Sequence, residues 1–342
     1  SDRSARNQPA PPSFPDPRSP ASLTMTFNRI LVLGATGFIG RAIVARLAER
    51  GVRVTAPTRR LVRARPLMPL PTVDIIEADI HDDAQLATLV AGCDAAINLI
   101  GILHGGGGSP YGADFARAHV ELPQRLAAAC TAAGVRRLLH MSALGADGPA
   151  PLPSMYLRSK ADGEKAVMAS DLDWTILRPS VVFGPEDRFL NLFGTLQRFA
   201  PIMPLARADT RFQPIHIDDV AQAFVNALER RETIGQGYEL AGPRVYTLGQ
   251  LVRLAGKRTG HSRPIIRLPD LAGRLQAMLL EALPGPTLMS LDNFDSMARD
   301  SVASAPIAPE LGITPVSIED ADGDPVALRQ QRLDASRELA RR

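Results

Sequence analysis

The sequence predicts a doubly wound α/β fold, a parallel sheet with helices on both faces and a smaller α-rich region appended after it. Two observations carry that expectation. Apolar runs at 30–33 and 95–101 read as buried parallel strands, RRLLHMSALGA at 136–146 reads as a further strand, and segments with helical apolar spacing separate them. Between the first run and the first helix stand Gly34, Gly37 and Gly40, where a tight turn would feed a helix N-terminus.

The first unit is the most informative. After the strand at 30–33, apolar residues 39, 43, 44 and 47 form a helical stripe, Gly51 ends the helix, and 52–56 is the next strand. A strand–turn–helix–strand unit of this length suits a dinucleotide. The first glycine permits the turn, the second lets a pyrophosphate approach the backbone, and the third lets helix pack on strand. The anion then meets free N–H groups and the positive end of the helix dipole. Thr36, Phe38 and Ile39 complete the turn and are expected to share in cofactor binding.

An acid normally ends the second strand when the ribose carries a free 2′-hydroxyl. Here the segment reads TAPTRR, and no Asp or Glu lies between Glu49 and Asp74. Arg59 and Arg60 stand where a 2′-phosphate needs planar cationic donors, which favours NADP(H) over NAD(H). Two solvated loop arginines remain the alternative.

A third strand runs through 73–82 into Asp79 and Ile80, and a fourth through 95–101. Asn98 and Gly101 fall at the carboxyl end of the fourth, where ligands bind in open α/β sheets. A glycine-rich loop at 102–112 follows, either a lid or an idle surface loop. Next come an alanine-rich helix at 114–134 and a fifth strand with Ser142 at its carboxyl end.

Tyr156 and Lys160 lie on the helix after that strand, one turn apart on one face. The chain holds three lysines against 36 arginines, so a lysine here looks selected for its chemistry. A phenol with a pKa near 10 needs help to trade protons at neutral pH, and a neighbouring ammonium favours the phenolate. A compact ammonium also suits ribose hydroxyls better than a guanidinium fork does. Ser142 would orient and polarise a substrate carbonyl, with Tyr156 as acid/base.

Further on, DWTILRPSVVFGPEDRFLN (173–191) is a sixth strand and its exit, and QPIHIDDVA and GYELAGP follow it. Together with SALGAD and YLRSKADGEKAV, these segments resemble the extended and atypical short-chain dehydrogenases/reductases over roughly 28–300. The resemblance is strongest to the group of NAD(P)H-binding accessory subunits of respiratory complex I and their bacterial relatives. It implies a Rossmann body, adenine contact at Asp79 and Ile80, and nicotinamide contact at the strand end bearing Pro179. It also implies two functional readings. One is an NADP(H) oxidoreductase acting on a carbonyl or hydroxyl of an unknown, hydrophobic substrate. The other is a non-catalytic nucleotide-binding subunit of a respiratory assembly. Extended enzymes place an Asn in the helix before the serine strand to support a proton relay; His119 stands there instead, and absence of the relay is the preferred reading.

The expected division is a disordered extension at 1–24, a nucleotide-binding body at 25–187, an interleaved C-terminal region at 188–315 that returns to the body at about 213–245, and a charged tail at 316–342. Apolar positions 271, 275, 278, 279 and 283 form a helical stripe expected to pack on its own region, with a membrane surface or lipid-like substrate as the alternative. A net charge of +3, scattered arginines and 5% aromatic content speak against a nucleic-acid partner. Cys93 and Cys130 lack metal or disulfide spacing, the six histidines are dispersed, and no metal is expected. No apolar run reaches the roughly 18–20 residues of a membrane span. The arginine and alanine bias suggests a high-GC bacterial source and a cytoplasmic protein, with peripheral contact at the inner membrane as the variant.

Overall fold

The computed structural model describes residues 24–282, 287 and 289–321. The expected extension lies outside the described residues except for Thr24, and so does the expected tail from 322 onward. The first half comprises β1 (Arg29–Leu33), α1 (Phe38–Glu49), β2 (Arg53–Thr58), β3 (Val73–Glu77), α2 (Asp83–Val90), β4 (Ala95–Asn98), α3 (Ala113–Phe115), α4 (Leu122–Ala133), β5 (Arg137–Met141), α5 (Met155–Met168) and β6 (Asp173–Pro179). The second half comprises β7 (Val182–Phe183), α6 (Phe189–Phe199), β8 (Met203–Ala206), β9 (Arg211–Phe212), β10 (Ile215–His216), α7 (Ile217–Glu229), β11 (Gln236–Leu240), β12 (Tyr246–Thr247), α8 (Leu248–Arg258), β13 (Ile265–Leu268), α9 (Asp270–Ala282), α10 (Leu291–Ser296) and α11 (Ile318–Ala321).

The main sheet is seven-stranded in the order β11-β6-β5-β4-β1-β2-β3. Every pairing in it is parallel. Successive residues of β1 serve opposite faces. Ile30 and Val32 join a cluster with α1 and α7, while Leu31 and Leu33 join one with α2 and α4. Burial on both faces is why these strands read as continuous apolar runs. Helix α7 alone buries Val220, Phe224, Val225 and Leu228 completely or nearly so, each contributing about 1.5–3 kcal/mol.

Arg137 pins that helix. Its buried guanidinium donates to the carbonyls of Ala227 (2.6 Å) and Leu228 (3.3 Å) at the end of α7. It also reaches the Asp173 carbonyl (2.6 Å) and the hydroxyls of Thr175 (2.8 Å) and Thr233 (2.9 Å). A cation is tolerated in this interior because it is so fully hydrogen-bonded.

The helix expected at 114–134 is not uniform. Between α3 and α4 the stretch Ala116–Glu121 widens into a π-helix. Gly163 of α5 packs against it so closely that a Cβ there would lie 2.0 Å from the His119 carbonyl oxygen. The C-terminal region forms its own cluster around Leu190, Phe212, Leu251 and Val252. On α9 the expected stripe is real but faces outward: Leu271 is 83% exposed, Leu279 62%. Gly273 and Ala277, small residues, form the face that packs inward, against Ala206 and Phe294. The expectation that the stripe packs on its own region is therefore corrected for 271, 275, 278 and 279; residue 283 lies outside the described residues. Periodicity identifies an apolar face, but not whether anything covers it.

Candidate active site

The strand order reverses between β1 and β4, and the crevice outside the carboxyl ends there is where a ligand sits in this architecture. Gly34 turns the chain out of β1 at φ +87, a conformation that favours glycine. A Cβ on Gly40 would lie 2.1 Å from the Gly34 carbonyl oxygen, so the third glycine is required for α1 to close on the turn. Gly37 caps α1 without any side-chain hydrogen bond, and no acid occupies the first turn. Those N–H groups and the helix dipole are left to attract an anion. The fit to a dinucleotide pyrophosphate is good. Of the other turn residues, Thr36 is half-buried, Ile39 packs into the core, and Phe38 has its ring tip at the Gly184 backbone.

Arg59 and Arg60 are both exposed just past β2, steadied by the Thr58 hydroxyl, which accepts from the Arg60 N–H at 3.3 Å. Asp79 uses its carboxylate within its own turn, accepting from the His81 N–H at 2.9 Å. Ile80 is half-buried against the apolar cluster on that face. Asn98 is buried, takes the Ile100 N–H on its carbonyl (3.1 Å) and donates to His140 Nδ1 (3.2 Å). Pro179 is buried, and its carbonyl accepts from Leu144 at 3.1 Å.

Lys160 joins these strand ends. Although only 2% exposed, its Nζ donates to the carbonyls of Met141 (3.1 Å) and Ile100 (3.5 Å), at the ends of β5 and β4. Gly101 makes room for it, since a Cβ there would lie 3.1 Å from Nζ. Burial pulls the ammonium down to about 8, against the Glu164 carboxylate one turn along, which raises it. Glu164 is buried and held by Arg178 through paired contacts of 2.8 and 2.6 Å, with Asp147 at 2.9 Å on the third guanidinium nitrogen.

Ser142, one residue past β5, is buried, and its hydroxyl has no hydrogen-bond partner among the described residues. Tyr156, the second residue of α5, is half-buried. Burial pushes its phenol up to about 12, so the expected lowering by the lysine does not prevail in the protein alone.

His119 meets Tyr156 edge to face, with ring centroids 5.6 Å apart. Its Nε2 accepts from the Ile102 N–H (3.0 Å), which leaves Nδ1 to donate to the Ser159 hydroxyl (2.8 Å). That hydroxyl donates in turn to the Tyr156 carbonyl (2.9 Å). Burial, then Lys160 and His140, holds the imidazole down at about 2. With both nitrogens committed and the ring neutral, His119 is a clamp between the glycine-rich loop and α5.

That loop is itself docked on α5. Tyr111 donates to Asp162 (3.0 Å) and Arg158 to the Pro110 carbonyl (2.8 Å). The sequence reading missed the Glu164–Arg178 pair, which its spacing of four from Lys160 could have flagged. It also missed Asp292, whose carboxylate accepts the N–H groups of Met155 (2.6 Å) and Tyr156 (3.0 Å). A partner 136 residues away leaves no sequence signal.

The family model described as the NAD dependent epimerase/dehydratase family matches residues 30–249, more than half of the chain. The chain belongs to the NAD-dependent epimerase/dehydratase family. Within it, the chain is 35% identical over 221 residues to the mouse (Mus musculus) mitochondrial NADH dehydrogenase [ubiquinone] 1 alpha subcomplex subunit 9, covering 63% of this chain. The chain spans 57% of the length of that relative. It is also 34% identical over 203 residues to the ceramide reductase of Caulobacter vibrioides, covering 57% of this chain and 59% of that one. Among solved structures, an NADPH-dependent quinone oxidoreductase from Escherichia coli shares the fold at a TM-score of 0.66 and 20% identity, over 86% of this chain and 97% of that one. The family is one of NAD-dependent epimerases and dehydratases, so a nicotinamide dinucleotide is the ligand its members share. Among the described residues no cluster fit to hold a metal ion occurs, and no helix is long and apolar enough to cross a membrane.

Proposed function

We propose that the protein is an NADP(H)-dependent oxidoreductase that reduces a carbonyl on a hydrophobic substrate. The observation that carries this reading is the buried Ser142 hydroxyl, without a partner among the described residues, at the strand end where Lys160 is anchored and with Tyr156 in the first turn of the next helix. The bound nicotinamide would supply the hydride. Gly34, Gly37 and Gly40 would admit its pyrophosphate, and Lys160, with a donor to spare, would hold ribose hydroxyls. Ser142 would donate to the substrate oxygen, and Tyr156, a neutral phenol at pH 7, would deliver the proton that oxygen needs.

Single-turnover oxidation of NADPH by carbonyl and quinone acceptors tests this. Tyr156→Phe is expected to slow it by about 100- to 10,000-fold with nucleotide affinity retained. Wild-type rates in that variant would sink the reading.

NADP(H) is favoured by Arg59 and Arg60, exposed at the end of a strand that carries no acid. Charge-reversing both, Arg59→Glu with Arg60→Glu, should weaken NADPH binding by about 10- to 100-fold and leave NADH nearly unchanged. Equal affinity for the two nucleotides in the wild type would overturn the preference.

A second reading is favoured by the mouse relative, which is by name a subunit of a mitochondrial NADH dehydrogenase [ubiquinone]. In that reading the nucleotide is a fixed ligand of an accessory subunit, and co-purified NADPH would never turn over. The outward apolar face of α9 supports a hydrophobic substrate in the first reading and peripheral membrane contact of a cytoplasmic bacterial protein in the second. Vesicle flotation separates the membrane contact from its absence.

A further inference from the structure

We propose that Asp292 is a positioning residue for Tyr156, holding the start of α5 from the C-terminal region; this rests on the oxidoreductase reading above. All of the first three N–H groups of α5 are taken by side chains. Ser154 accepts from Leu157 at 3.2 Å. Asp292 accepts from Met155 through one carboxylate oxygen (2.6 Å) and from Tyr156 through the other (3.0 Å). Asp292 is 7% exposed, and a negative charge at a helix N-terminus is well placed.

Tyr156 is the second residue of that helix, so the Asp292 bond fixes the backbone from which the phenol projects. First turns fray when their N–H groups lack partners. On its other side the residue is held by the Ser159 hydroxyl on its carbonyl and by the His119 ring. Asp292 supplies the remaining restraint.

The anchor is itself rigid. Ser290 and Asn293 cap α10 reciprocally, each side chain accepting the other's N–H at 3.2 Å. Phe294 is wholly buried, with the Arg207 guanidinium 4.3 Å above its ring. Asn293 also donates to the Leu103 carbonyl at 3.2 Å, so α10 grips the glycine-rich loop and the tyrosine helix together. The C-terminal region thereby sets where the acid/base group stands, although it contributes no acid or base itself.

The test uses the full chain with Asp292→Ala, Asp292→Asn and a control on the same helix as Asp292, Asp295→Asn, which removes an ion pair to Arg274 of α9. Single-turnover NADPH oxidation and NADPH affinity are measured in each, with amide exchange across 155–168. Asp292→Ala should lose about 10- to 100-fold in rate while affinity stays within about 2-fold. Asp292→Asn, which keeps one accepting oxygen, should fall between, and Asp295→Asn should match the wild type. A wild-type rate in Asp292→Ala would overturn the proposal, as would an equal loss in Asp295→Asn or a parallel loss of NADPH affinity. If the wild type reduces no acceptor, the oxidoreductase reading fails by itself and amide exchange decides this one. Faster exchange at 155–157 with 160–168 unchanged in Asp292→Ala would uphold it, and unchanged exchange throughout would overturn it.

Discussion

Two histidines beside Lys160 are held neutral, and that makes the protein acid-sensitive by a route that can be measured. Burial and the ammonium hold His119 down at about 2 and His140 at about 3. In the unfolded chain both would take a proton below about pH 6.5. The unfolded state then binds more protons than the folded one, so stability falls as pH drops below that value. Each histidine adds a slope of about 1.4 kcal/mol per pH unit. Denaturant melts between pH 6 and 4.5 should give His119→Gln a slope shallower than the wild type by about that amount. Parallel slopes would show that the imidazole is protonated in the native state. At the same scale, Lys160 near 8 stays largely charged at neutral pH, which suits the proposed grip on ribose hydroxyls.

Among the elements, α9 carries the clearest unfinished business. Its stripe of Leu271, Leu275, Met278 and Leu279 is exposed, while its inward face is held by small residues and Phe294. If the stripe meets a bilayer, the protein should float with phosphatidylcholine vesicles containing a minor anionic lipid, and Leu275→Ser with Leu279→Ser should abolish that. Flotation equal in the double variant, or absent in the wild type, would remove the membrane reading. The inner strands β1, β4 and β5 were legible because burial on both faces writes apolar residues along each. The two-residue pairs β7 with β10 and β9 with β12 were not, because a strand that short has no period to read. The π-helical stretch escaped for a different reason: it depends on α5 approaching through Gly163, a contact made across 44 residues.

At the scale of the molecule, the sheet and its crevice followed from local signals: three glycines after one strand, a serine after another, a tyrosine and lysine one turn apart. Each of those signals needs only a handful of adjacent residues, and each landed at the carboxyl edge of the sheet. What holds the site in register was not legible. Asp292, the Arg178–Glu164 pair and the His119 clamp join segments that only the folded chain brings together. The outward direction of α9 was hidden in the same way.

β11 borders β6 at one edge of the main sheet, yet it reaches that place only after α6, β8 and α7 have been made. A protein shortened to its first 187 residues would keep Gly34, Gly37, Gly40, Ser142, Tyr156 and Lys160, but β6 would become a bare hydrogen-bonding edge. It would also lose α7, which together with α1 covers Ile30 and Val32. On the ribosome, the seven-stranded sheet cannot be finished until residue 240 has emerged, long after the expected cofactor residues from Gly34 to Pro179 were synthesised. Sequence order and assembly order thus part company here, and fragments designed from the motifs alone would be prone to pair with one another.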